Sequence, residues 1–200
     1  MRGAALAGVT LLAMAMPPAS APVAAQGKAL GCMAGAYTGE QDARLDALAD
    51  EAGFAGESDE ADGELAGIVM QAVESCVDGN GWTQEEAMYA AFYELGRVSE
   101  AAYRNSGELS EAQLGNVDEA LAKGDRSRLW GIIERGLMNG MASGDGNSGI
   151  SGGDAMTLGA FVTGTGIGSD EATAEKVGVL LGFMALQRLG RREFQGLQGE

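Results

Sequence analysis

Proline is confined to positions 17, 18 and 22, and that constrains the fold of this chain more than any other feature. Proline removes a backbone donor and clashes with the preceding turn, so a chain free of it from Val23 onward can run long helices without interruption. Glycine shows the opposite distribution, with 31 of the 33 glycines after residue 25. Glycines in such a sequence supply helix stops and positions where two helices approach closely.

The apolar periodicity is helical throughout, with no alternating strand pattern. Leu45, Leu48, Ala49 and Ala52 mark a short first helix ending near Gly53, and the acidic stretch Gly53 to Gly63 reads as a loop. Leu65, Ile68, Val69, Ala72, Val73, Cys76 and Val77 form one stripe at helical spacing. Gly79-Asn80-Gly81 stops that helix, and Thr83 with Glu86 makes a capping-box pattern for the next. Its core stripe is Met88, Ala91, Phe92, Leu95 and Ala102, and Trp82, Tyr89 and Tyr93 form an aromatic stripe that either packs against a neighbouring helix, the preferred reading, or lines a ligand groove. Ser110 with Gln113 caps a shorter helix bearing Leu114, Val117 and Leu121. Asp125 opens a helix that buries Leu129, Ile133, Gly136, Leu137, Gly140 and Met141.

Ser143 to Gly153 reads as a glycine-rich loop, Met156 to Val162 as a brief helix, and Gly164 to Gly168 as a second glycine run. The last helix runs from Asp170 to about Phe194 and is apolar almost all round from Val177 to Leu186, which places it centrally. Arg188, Arg191 and Arg192 complement its dipole. The pairs Gly136/Gly140 and Gly178/Gly182 read as sites of close helix packing, in runs too short to span a membrane. The expected fold is therefore all-α: a compact bundle of about six helices with glycine-rich loops and a buried C-terminal helix.

Arg2, the uncharged run Ala4 to Met16 and the small residues Val23-Ala24-Ala25 follow the plan of a cleavable secretory signal peptide over residues 1–25. The run has 13 residues, short of the ~20 a spanning helix needs. Residues 26–200 are then one helical domain, exported to a periplasmic or extracellular location, with no membrane span. In an oxidising compartment the two cysteines, Cys32 and Cys76, are expected to pair. Charge is uneven along this domain: residues 26–122 carry 4 basic and 20 acidic side chains, residues 123–200 carry 8 and 9. An acidic half beside a near-neutral one disfavours nucleic acid and anionic membrane, and favours a basic protein partner or a cation.

The chain has no histidine, which removes imidazole-based triads and imidazole zinc sites. Gly149-Ile150-Ser151-Gly152-Gly153 has the letters of a nucleophile elbow, with no strand before it and no base to serve it. Gly164-Thr165-Gly166-Ile167-Gly168 has the look of a phosphate loop, yet Asp170 and Glu171 follow where a phosphate would sit. No catalytic or cofactor-binding residue is singled out.

Two segments resemble the first part of an EF-hand calcium loop: Cys76 to Thr83, with Asp78 and Asn80 at ligand positions, and Ser143 to Ile150, with Asp145 and Asn147. Both depart from that motif at position 1, and the first has Ala87 where the closing carboxylate belongs. The second closes on Asp154, making Asp145, Asn147 and Asp154 the candidate ligands of a weak calcium site. Three functional expectations follow. The first is a non-catalytic exported binding protein that offers an acidic surface to a basic or cationic partner. The second is a weakly calcium-responsive helical protein, and the third a carboxylate-dependent hydrolase.

Overall fold

Helices account for almost every described residue. The computed structural model describes residues 29–51, 59–143, 149–168 and 170–198. A 3-10 turn at Leu30–Gly35 precedes seven helices: α1 Gly39–Glu51, α2 Asp59–Asn80, α3 Gln84–Asn105, α4 Glu111–Ala122, α5 Ser127–Ser143, α6 Gly152–Thr165 and α7 Glu171–Leu197. No strand occurs among the described residues, so the all-α expectation stands. The expected leader, residues 1–25, lies outside them.

The boundaries follow local chemistry. Both capping boxes form: Thr83 accepts from the Glu86 N–H while the Glu86 carboxylate accepts from the Thr83 N–H, and Ser110 and Gln113 do the same. Such caps satisfy backbone donors that the helix itself leaves unpaired. α6 is twice the length expected, because Ser151 caps it at the Asp154 N–H and it ends only at Gly166, whose φ is 72°. The last two residues of the expected loop Ser143–Gly153, Gly152 and Gly153, are therefore the helix start. α2 likewise begins at Asp59, ahead of the Gly63 that was read as loop, carried by its apolar stripe.

α3 and α7 form the central pair, crossing antiparallel. Tyr103 near the end of α3 donates its hydroxyl to the Lys176 carbonyl near the start of α7, at 2.9 Å. At the other end Trp82 meets Phe194 edge-on, with ring centroids 5.1 Å apart. The contact between them is backbone on backbone, and two glycines permit it. A Cβ at Gly96 would stand 2.5 Å from the Gln187 nitrogen and 2.7 Å from the Phe183 oxygen. One at Gly190 would meet the Tyr89 oxygen at 2.5 Å. Neither glycine stood out in the sequence.

Two apolar cores flank this crossing. The first gathers the 3-10 turn, α1 and α2 against the start of α3 and the end of α7, through Met33, Leu48, Val69, Val73, Cys76, Trp82 and Phe194. The second packs α4, α5 and α6 on the opposite ends of the same pair, through Tyr103, Val117, Leu129, Phe161, Val177 and Leu180. α7 reaches both, which confirms its central place. Met88, expected in the α3 core, is 42% exposed; the buried α3 positions are Glu86, Ala90, Ala91, Glu94, Gly96, Val98, Ala102 and Tyr103. The stripe is rotated because α7 packs where small residues let it come close.

Candidate functional site

Cys32 and Cys76 stand at bonding distance, S–S 2.04 Å, tying the 3-10 turn to α2. Asn80 donates to the Cys76 carbonyl and to the Cys32 sulfur, each at 3.1 Å. Asp78 and Asn80 therefore belong to the last turn of α2, and Asn80 acts as a donor there. The Cys76–Thr83 segment forms no calcium loop: Gly81, at φ 64°, turns the chain directly into the α3 cap.

Of the other candidate ligands, Asp145 and Asn147 lie outside the described residues. Asp154 sits in the first turn of α6 with its carboxylate 3.6 Å from the Arg135 guanidinium of α5. Among the described residues no group of three or more cysteine, aspartate or glutamate side chains is placed to hold a metal ion. No described helix is long and apolar enough to cross a membrane.

A polar cleft of about 590 Å³ opens between α1 and α3, lined by Asp42, Leu45, Asp46, Arg97, Val98 and Asn105 among others. Behind Arg97 lies Glu94, only 1% exposed. Its carboxylate accepts from the Tyr37 hydroxyl at 2.9 Å and from Arg97 in a forked pair at 2.9 and 2.5 Å. A buried charge needs such compensation. Burial first, and then the facing Glu94 carboxylate, push the Tyr37 phenol well above its ordinary value, so it remains a donor. The sequence carried a signal for Glu94 that was not read: it falls between the core positions Ala91 and Val98 on the α3 stripe. The cleft's two carboxylates, Asp42 and Asp46, are exposed and one turn apart on a single helix. A glycoside-cleaving pair must flank a bond from two sides. This pair does not, and the network behind it reads as a structural tie between Tyr37 and α3.

The other large concavity is of a different kind. A groove of about 690 Å³ runs between α5, α6 and α7. Ile133, Leu137 and Met141 line it from α5, Ala155, Leu158 and Val162 from α6, and Ala174 and Leu181 from α7, with Ile150 at the loop end. Its remaining lining is glycine: Gly136, Gly140, Gly159, Gly178 and Gly182. Among the described residues no lining side chain carries a hydrogen-bond donor or a charge. Met141 and Ile150 are 45% and 40% exposed.

Here the reading of Gly178/Gly182 as close packing is corrected. A Cβ at Gly159, Gly178 or Gly182 meets nothing within 4 Å, because these positions face the groove. Open helical glycine is not itself a sign of a site, since Gly67 and Gly115 are equally open on bare surfaces. Its place under an apolar groove is what distinguishes this group. Comparison with known proteins finds no matching family model, no matching curated protein and no matching solved structure.

Proposed function

We propose that the chain is an exported, non-catalytic binding protein, acidic overall and suited to a basic or cationic partner, with the α5–α6–α7 groove as its ligand seat. One observation carries the reading: an apolar groove of about 690 Å³ whose lining, among the described residues, offers no acid, base, nucleophile or hydrogen-bond donor from a side chain. That volume is within the roughly 300–1,000 Å³ usual for ligand sites, which are mostly apolar. Exposed apolar surface of this kind is costly in water, and its burial by a ligand contributes about 25 cal/mol per Å². Such a lining can hold and release, and it supplies nothing to a bond-breaking step.

The test is binding of an environment-sensitive apolar dye to the protein and to Gly178→Leu. A Cβ at Gly178 meets nothing within 4 Å, so the new side chain enters the groove from an open position. Replacing an exposed helical glycine also raises helix propensity, by about 0.8 kcal/mol. The variant is expected to fold as well as the parent and to lose the dye. Equal dye binding by both proteins would remove the groove from consideration.

A further inference from the structure

We infer that the occupant of the groove is an amphipathic helix of a partner protein, basic along one flank; this rests on the groove being the binding seat. The first argument concerns backbone polar groups. Among the described residues the groove lining offers no side-chain donor, so a partner in extended conformation would lose water from its main chain there and gain no hydrogen bond from that lining in return. A helix satisfies its own backbone and presents only side chains, the mode by which apolar grooves take peptides.

The second argument comes from the molecule's own packing. Where α3 and α7 cross, Gly96 and Gly190 let one helix backbone lie directly on another. The groove repeats that composition, with Gly159 on one wall and Gly178 and Gly182 on another, and no helix among the described residues is seated there. Among those residues it is a surface of similar glycine composition without a helix packed on it.

Charge complementarity then sets the flank. On α7, Glu171, Glu175, Gly178 and Gly182 follow one another at helical spacings of four, three and four, so they form one row along the helix. The two glutamates thus continue the groove wall beyond its glycines. Both are exposed, and neither makes a salt bridge among the described residues. Among the described residues Lys176 is engaged with Glu108, Arg135 with Asp154, Arg192 with Glu134 and Glu193, and Arg188 lies over the Trp130 ring at 4.5 Å, so none of these cations pairs with the two glutamates. A helix with Lys or Arg beside its apolar face meets this wall favourably, and an anionic ligand is repelled by it.

The experiment uses three synthetic peptides of about 18 residues, roughly five helical turns. One has Leu and Ala on one face and Lys on the flanks. A second permutes the same residues to destroy the face, and a third replaces each Lys by Glu. Binding to the purified protein is followed by titration calorimetry, with circular dichroism reporting that each variant is folded. The basic amphipathic peptide is expected to bind, and the permuted and acidic peptides to bind at least about tenfold more weakly. Gly178→Leu should weaken it by about tenfold or more, since the seat itself is filled. Glu171→Gln combined with Glu175→Gln should weaken it by roughly two- to fivefold and flatten its salt dependence, the usual size of rim charges. Equal binding of the permuted peptide, or no effect of Gly178→Leu, would overturn the inference in favour of unspecific charge attraction. Dye binding that Gly178→Leu abolishes, with no peptide bound, would leave the groove as the seat and sink the helix. Failure of both dye and peptide would remove both.

Discussion

Gly96→Ala tests whether the α3–α7 crossing is the structural centre of the protein. The added methyl would stand 2.5 Å from the Gln187 nitrogen and 2.7 Å from the Phe183 oxygen, where ordinary contacts begin near 3.4 Å. Both obstacles are backbone, so no side chain can rotate aside and the two helices must part by roughly 1 Å. A gap of that size forfeits between a quarter and a half of each dispersion contact across the interface. Overpacking of this kind costs about 1–3 kcal/mol, and the glycine-to-alanine gain in helix propensity returns about 1 kcal/mol. Because the interface spans both cores, the upper part of that range applies, and we expect a net loss of about 2 kcal/mol. In a chain of this length that lowers Tm by roughly 4–8 °C. Gly190→Ala should behave alike. The two together should cost less than their sum, since the first methyl has already separated the helices that the second would push. Gly178→Ala is the internal control: it carries the same propensity gain with nothing within 4 Å, and should be neutral or stabilising. Thermal and chemical denaturation decide the matter. A Gly96→Ala protein as stable as its parent, or a Gly178→Ala protein equally damaged, would refute the reasoning.

Other outcomes follow from the polar groups. Tyr37 and Tyr103 both have phenols raised on folding, Tyr103 to about 12, each chiefly by burial. Their unfolded counterparts ionise near 10, so above that pH the unfolded state sheds protons first and stability falls as pH rises. Denaturant titrations from pH 8 to 11 should show this decline, and Tyr37→Phe or Tyr103→Phe should make it shallower; an unchanged slope would show that these phenols are not the cause. At neutral pH Tyr37→Phe leaves Glu94 buried with Arg97 alone and should cost about 1.5–3 kcal/mol, read from urea midpoints. Reducing the Cys32–Cys76 bridge, which spans 44 residues, should cost up to about 4 kcal/mol in the chain-entropy account, visible as a lower Tm with reductant. Calcium should produce no more than a response in the 10⁻⁴–10⁻³ M range, about 1.4 kcal/mol at tenfold excess, abolished by Asp145→Ala. Micromolar affinity would restore a true calcium loop.

The sequence disclosed those elements whose cause is local. Thr83 with Glu86 and Ser110 with Gln113 act within one turn, so both caps were legible, as was the α2 stripe from Leu65 to Val77. It failed where the deciding partner is distant. Met88 and Phe92 were expected in the α3 core because they are large and apolar, but the crossing at Gly96 turns α3 so that Ala90, Ala91 and Glu94 face inward. Glu94 itself is intelligible only once Tyr37, 57 residues earlier, is known to reach it.

Glycine shows the same limit most clearly. A glycine in a helix costs about 1 kcal/mol against alanine, so each one read from sequence asks for a reason. Gly178 and Gly182 supply one on paper as neighbours one turn apart, whereas Gly96 and Gly190 have no glycine within one turn. In three dimensions the assignment inverts. Gly96 meets the α7 backbone at Phe183 and Gln187, and Gly190 the α3 backbone at Tyr89 and Tyr93, where only hydrogen can stand between two backbones, while the neighbouring pair faces open space. Spacing along one helix shows which residues share a face, but the depth of contact on that face is set by the opposing helix. Among the described residues the molecule therefore contains one glycine surface closed by α3 and α7, and one on α5, α6 and α7 that faces the groove beside exposed Met141 and Ile150. Both serve the fold: the closed surface sets the α3–α7 crossing, and the walls of the open one, Val162 and Leu181 among them, belong to the second core. What distinguishes the open face is that a Cβ at Gly159, Gly178 or Gly182 still meets nothing within 4 Å, and that is the contact the proposed partner helix would make.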